Sequence, residues 1–83
     1  MDNYYLITFE NTHSAMNAET ILKQNSIKNI VMPTPTYITK SCGISLKFDK
    51  ADLPTVAKLI KDESIKIKVV YLKEGSEFKA VEL

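Results

Sequence analysis

Three stretches of the chain, residues 4–9, 44–48 and 65–71, place apolar residues at every second position; in the first, Tyr5, Ile7 and Phe9 alternate with Tyr4, Leu6 and Thr8. This period of two predicts β-strands, each with at least one buried face. Another strand is predicted from about Ile27 to Met32, and Pro33 ends it because proline lacks an amide donor and fixes its own φ. The chain therefore contains four predicted strands, and Ser45 and Lys47 of the third are predicted to face water.

Between the first two predicted strands, the apolar residues have helical spacing, which predicts an α-helix. Asn11 or Thr12 can cap this helix, and Asn25 can end it in a left-handed conformation. Its core side is predicted to carry Ala15, Ala18, Ile21 and Leu22.

A second helix is predicted to begin at Asp49 or Asp52, with Pro54 in its first turn, where proline is tolerated. Its apolar stripe, at positions i, i+3, i+4 and i+7, would consist of Leu53, Val56, Ala57 and Ile60.

The resulting order βαββαβ predicts an α+β protein of the ferredoxin-like type, a four-stranded antiparallel sheet with two helices on one face. Residues 21–28 and 59–66 have similar sequences, and both span a predicted helix-to-strand junction. This similarity supports a chain built from two related halves. We expect a single domain over residues 1–83 with a core at about residues 4–72. The remaining residues, 73–83, are either a tail or an added edge strand.

The composition fits one small domain, because 83 residues with 45% hydrophobic content can build only a modest core. With one cysteine the chain has no internal disulfide, so formation of a homodimer would be a reasonable supplement to its stability. No segment has the length of a membrane span or the pattern of a secretory signal. We therefore expect a cytoplasmic protein without a membrane partner, in which the thiol stays reduced.

Charge further restricts the function. All eleven basic residues are lysines, and with ten acidic residues the formal net charge is +1. Neither a basic footprint for nucleic acid nor an arginine fork for phosphate is present, so we expect no nucleic-acid partner and rank acylphosphatase-like hydrolysis last.

The residue with the clearest chemical potential is Cys42, the only cysteine. In the predicted topology the first and third strands are antiparallel neighbours, so the end of the first, near Glu10, adjoins the start of the third, near Cys42. This brings Cys42 to the N-terminus of the first helix, at Thr12 and His13. In a regular third strand, Cys42 would lie on the same face as Ile44, Leu46 and Phe48. Its side chain would therefore point toward the helices, unless Gly43 forms a bulge.

A thiol at a helix N-terminus meets unpaired amide donors and a partial positive charge, which lower its pKa and favour the thiolate. His13 could accept its proton, or act as a positive neighbour. The alternative is a structural cysteine, because cysteine is among the most often buried residue types. One cysteine with one histidine cannot complete a zinc site within the chain, so neither a metal nor a cofactor is expected.

Two blocks of sequence carry a family resemblance. Residues 5–16 read YLITFENTHSAM, and Pro33-Thr34-Pro35 is followed by Ser41-Cys42-Gly43-Ile44-Ser45-Leu46. Together they resemble the selenium/sulfur carrier protein-like family, formerly a domain of unknown function, over residues 4–72. The chain lacks the Cys-Pro-x-Pro motif of better-known sulfur carriers, since both prolines precede the cysteine.

The resemblance implies a carrier rather than a turnover enzyme, with Cys42 accepting sulfur or selenium as a persulfide or selenopersulfide. Ser41 and Gly43 would shape the turn at Cys42, and Asn11, Thr12 and His13 would line the facing helix start. Its partners would be a cysteine desulfurase-like donor and an acceptor enzyme. The alternative is a non-catalytic ligand-binding or oligomerisation module with a structural cysteine, motivated by Val70 and Leu72 on the predicted open face of the sheet.

Overall fold

The computed structural model describes residues 4–34 and 43–82. This part of the chain forms two helices and five strands, with a short 3-10 turn before the second helix. In chain order the elements are β1 (Tyr4–Thr8), α1 (Thr12–Gln24), β2 (Asn29–Pro33), β3 (Ile44–Phe48), the 3-10 turn (Lys50–Asp52), α2 (Leu53–Lys61), β4 (Val69–Glu74) and β5 (Glu77–Val81). The predicted α+β class is confirmed.

The strands form one sheet in the order β2-β3-β1-β4-β5, and every neighbouring pair is antiparallel. The predicted adjacency of β1 and β3 is confirmed. The prediction of four strands is wrong, because β4 continues through a two-residue turn into β5. Gly75 has φ 60° at the first turn position, which type II′ hairpins reserve for glycine. Of the two alternatives for residues 73–83, the edge strand is therefore the observed one.

Both helices contribute to a single hydrophobic core on one side of the sheet, here called the helix face. In α1 the predicted residues Ala15, Ala18 and Leu22 are buried. In α2 the most buried residues are Val56 and Leu59. The cluster consists of Ile7, Phe9, Ala15, Ala18, Leu22, Ile27, Leu46, Phe48, Val56, Leu59, Ile65 and Val70. The opposite side of the sheet, which carries Tyr4, Leu6 and Thr8 of β1, is called the open face below.

The two faces of strand β4 are reversed relative to the prediction. It begins at Val69 rather than Ile65, and Val70 lies opposite Ile7, so Val70 is buried in the helix-face core. By the same alternation Leu72 also lies on the helix face, opposite Tyr5. The observation that motivated an oligomerisation module, Val70 and Leu72 on the open face, is therefore wrong.

A bend at Lys68 causes this reversal. The Lys68 amide donates to the Thr8 carbonyl at 2.8 Å, and the Thr8 hydroxyl both accepts from the Val69 amide at 3.1 Å and donates to the Val69 carbonyl at 3.0 Å. One side chain thus completes the hydrogen bonding of the distorted strand start. Ile65 and Ile67 still pack against the core, but they precede the strand.

Both helices end in the same hydrogen-bonded turn. After α1, the amides of Ser26 and Ile27 donate to the carbonyls of Lys23 and Leu22, the pair of bonds that defines a Schellman motif. After α2, the equivalent donors are Glu63 and Ser64, bonded to Ile60 and Leu59. The left-handed residue after α1 is Ser26, with φ 60°, and not Asn25 as predicted.

Replacing Glu63 by glycine is expected to stabilise the fold by about 0.5–1 kcal/mol. Glu63 has φ 63°, a conformation that costs an L-residue about 1–2 kcal/mol, and glycine returns part of this through the greater entropy of its unfolded chain. Urea unfolding followed by circular dichroism measures the change. Lys58→Gly, in the interior of α2, is the control and should destabilise by about 1 kcal/mol. Destabilisation by Glu63→Gly would contradict this explanation.

Candidate functional site

The end of β1 and the start of β3 lie together at one end of the sheet. Thr8, the last residue of β1, is paired with Ser45 of β3. Two further steps in each direction lead to Glu10, just before α1, and to Gly43, just before β3. Because β1 and β3 are antiparallel, the N-terminus of α1 and the chain entering β3 approach the same end of the sheet.

Asn11 is the N-cap of α1. Its backbone is extended, with φ −155° and ψ 167°, and its Oδ1 accepts from the Ser14 amide at 2.8 Å. Of the two caps considered from the sequence, Asn11 is thus the one used. Since this hydrogen bond closes the first turn, the Asn11 side chain has a structural role at the site.

The first turn of α1 presents positive potential. It contains no acidic residue, and both Thr12 and His13 are exposed. Within the described residues, the amides of Thr12 and His13 have no hydrogen-bond partner. Free amides and the helix dipole together favour an anion at such a position. Glu10, exposed and one residue before the cap, is the nearest acidic residue in sequence and opposes this effect.

Gly43 occupies an ordinary backbone conformation. It accepts a hydrogen bond from the Thr34 amide at 2.9 Å, so the two ends of the β2–β3 connection are joined. Its φ is not in the left-handed region, and a Cβ placed on it would meet no heavy atom within 4 Å. The described surroundings therefore do not require glycine at this position.

The thiol itself is not among the described residues. Cys42 and Ser41 lie outside residues 4–34 and 43–82. The structure thus brings three predicted site residues, Asn11, Thr12 and His13, to the start of α1, and describes Gly43 next to β3. The position of Cys42 beside this helix start stays a prediction.

Three buried hydroxyl groups at this end of the sheet were missed from the sequence. Thr8, Ser45 and Thr34 are exposed by only 1%, 0% and 7%, and the hydroxyls of Thr34 and Ser45 are hydrogen-bonded to each other. The prediction that Ser45 faces water is wrong. Leu6 could have indicated this burial. It lies two positions before Thr8 and on the same face of β1, and an apolar residue there suggests that this face is also covered. The Thr34–Ser45 bond joins the end of β2 to β3, and the Thr8 hydroxyl joins β1 to the start of β4.

Within residues 4–34 and 43–82, no group of three or more His, Cys, Asp or Glu side chains is arranged to hold a metal ion. Neither α1 nor α2, the helices of that part, is long and apolar enough to cross a membrane.

Comparison with known proteins adds one finding to this geometry. The family described as "Putative Se/S carrier protein-like" matches residues 4–72, most of the chain. The chain belongs to this family. In the Se/S carrier protein-like family match, the α1 start and the chain leading into β3 are both included, whereas β5 lies beyond it. Neither the curated proteins nor the solved structures gave a match.

Proposed function

We propose that this protein carries sulfur or selenium on Cys42 and delivers it to an acceptor enzyme. The observation that carries the proposal is the pairing of Thr8 with Ser45, which brings the chain entering β3 to the same end of the sheet as the α1 N-terminus. Cys42 immediately precedes Gly43 in the sequence. Membership of the Se/S carrier protein-like family supports the same function.

The transfer is an exchange reaction that needs no external oxidant. The Cys42 thiol first loses its proton, either to solvent or to His13. The thiolate then attacks the outer sulfur of a persulfide on the donor, a new S–S bond forms, the donor's S–S bond breaks and the donor leaves as a thiolate. A second exchange of the same kind passes the outer atom to the acceptor. Selenium would follow the same route as a selenopersulfide.

The positive helix start would serve this chemistry by stabilising the thiolate before attack and after transfer. Thr12 and His13 would supply amide donors, while Asn11 fixes the turn that presents them. We further propose that β1 to β4 with the two helices form a ferredoxin-like unit, to which β5 is an addition. The proposed partners are a cysteine desulfurase-like donor and a sulfur- or selenium-accepting enzyme, in the reducing conditions of the cytoplasm.

Loading can be measured directly. After incubation with a cysteine desulfurase and cysteine, the intact chain is expected to gain the mass of one sulfur atom and to lose it on treatment with dithiothreitol. Cys42→Ser is the control for sulfur bound elsewhere and should gain none, since the chain has no other cysteine. No gain by the native chain, under conditions that load an established carrier, would contradict the proposal.

A further inference from the structure

Thr34 bonds the end of β2 to the start of β3 at two points. Its amide donates to the Gly43 carbonyl at 2.9 Å, and its hydroxyl is hydrogen-bonded to the Ser45 hydroxyl. Thr34 directly follows β2, and Gly43 directly precedes β3. The two ends of the connection that contains Cys42 are therefore joined through the backbone and through a pair of side chains.

The start of β3 extends beyond its neighbour β1. The last pair between β1 and β3 is Thr8 with Ser45, whereas the pairing of β3 with β2 continues to Ile44. Among the described strand pairs, only β2 accompanies β3 past Ser45. The Thr34–Ser45 bond ties this projecting end to the residue at which β1 is paired, and α1 begins shortly after that point, at Thr12.

Stability alone gives little reason for two hydroxyls at this place. Thr34 and Ser45 are both buried, so their hydroxyls lose contact with water on folding. A hydrogen bond between neutral groups adds little net stability, and replacing both partners by apolar groups of the same shape can be nearly neutral. What the bond adds is direction, because it holds its two groups at a defined distance and angle. Direction is useful where a neighbouring segment must be placed accurately.

We propose that Thr34 and Ser45 are positioning residues for Cys42, and that their bond keeps the chain entering β3 directed at the α1 N-terminus. This inference rests on the proposed function, because it gives the pair a task in the transfer of sulfur or selenium. Cys42 is the residue before Gly43, so a change in the direction of the projecting end of β3 would move the thiol relative to the helix start. A displacement of about 1 Å can slow a reaction between positioned groups about a hundredfold.

The double variant Thr34→Val, Ser45→Ala tests the pair. It removes both hydroxyls, leaves neither one unpaired and keeps the backbone bond between residues 34 and 43. Its midpoint of urea unfolding is expected to stay close to that of the native chain. Its rate of sulfur loading by a cysteine desulfurase and cysteine should fall at least about tenfold. The pH midpoint of Cys42 alkylation by iodoacetamide should rise toward that of the urea-unfolded chain, since the thiol would be less well placed at the helix start.

Two further variants separate positioning from a general loss of structure. Thr34→Ser keeps the hydroxyl and should retain the native loading rate and pH midpoint. Thr20→Val is the matched control, because the exposed Thr20 hydroxyl donates to the Met16 carbonyl within α1 at 3.2 Å, and its loss should change neither quantity. If the double variant does not fold, Thr34→Val alone removes the same bond and is expected to give the same changes.

A folded variant that lacks the bond but loads sulfur at the native rate, with the native pH midpoint, would overturn the proposal. An equal loss in Thr34→Ser or Thr20→Val would also overturn it, because the hydroxyl pair would then not be the cause. Failure of the native chain to load sulfur would instead contradict the proposed function. The pH midpoints of native and variant chains would still decide whether the pair positions the thiol.

Discussion

Iodoacetamide is expected to alkylate Cys42 at pH 7 about three to ten times faster in the folded chain than in the same chain unfolded in urea. A helix N-terminus lowers the pKa of a neighbouring thiol. In the position proposed for Cys42, this would raise the thiolate fraction by more than it lowers the nucleophilicity of the thiolate. The unfolded chain is the reference, because it contains the same single thiol without the helix. Rates are measured by mass spectrometry across a range of pH.

Charge variants at the helix start separate electrostatics from simple exposure. Glu10→Gln removes the acidic residue that precedes the cap and should increase the rate, whereas Thr12→Glu adds a negative charge to the first turn and should decrease it. Asn17→Glu is the control, since it is exposed on α1 beyond the first turn, where the dipole effect has fallen off. Equal rates in the folded and unfolded chains would remove the physical basis for the proposed carrier chemistry.

Local signals in the sequence were enough to predict most of the elements. The cap of α1 could be narrowed to Asn11 or Thr12 because such side chains satisfy a helix amide, and Pro54 lies in the first turn of α2 as predicted. The adjacency of β1 and β3 followed from the order of elements and the handedness of their connections. These features depend on short segments or on general topology, which explains why they could be predicted.

The errors arise where tertiary contacts decide the outcome. Ile65, Ile67, Val69 and Tyr71 continue one apolar series at every second position, which hides the bend at Lys68. Thr8 holds that bend from another strand. Ser45 looked solvent-facing because it alternates with apolar residues, yet its hydroxyl is buried against Thr34. For the site, the same limit applies: the helix start could be predicted locally, whereas the surroundings of Cys42 depend on how distant segments meet.

Leu6→Ala is expected to destabilise the fold by about 2–5 kcal/mol, although Leu6 points away from both helices. Leu6 lies on the open face, between Lys47 of β3 and Tyr71 of β4, and is 0% exposed. The Lys47 ammonium group lies 4.3 Å from the centre of the Tyr4 ring, so its aliphatic stem covers apolar surface beside Leu6. A cavity here would remove a large fraction of the roughly 4–12 kcal/mol typical of a domain this size.

Ile30→Ala provides the matched comparison, because Ile30 is also on the open face but 58% exposed. Ile30→Ala should cost less than about 1 kcal/mol in a urea unfolding measurement. If both variants lower the free energy of unfolding by similar small amounts, the centre of the open face is solvated. A large loss for Leu6→Ala alone would establish that the sheet is covered on both faces, as the burial of Thr8 and Ser45 requires.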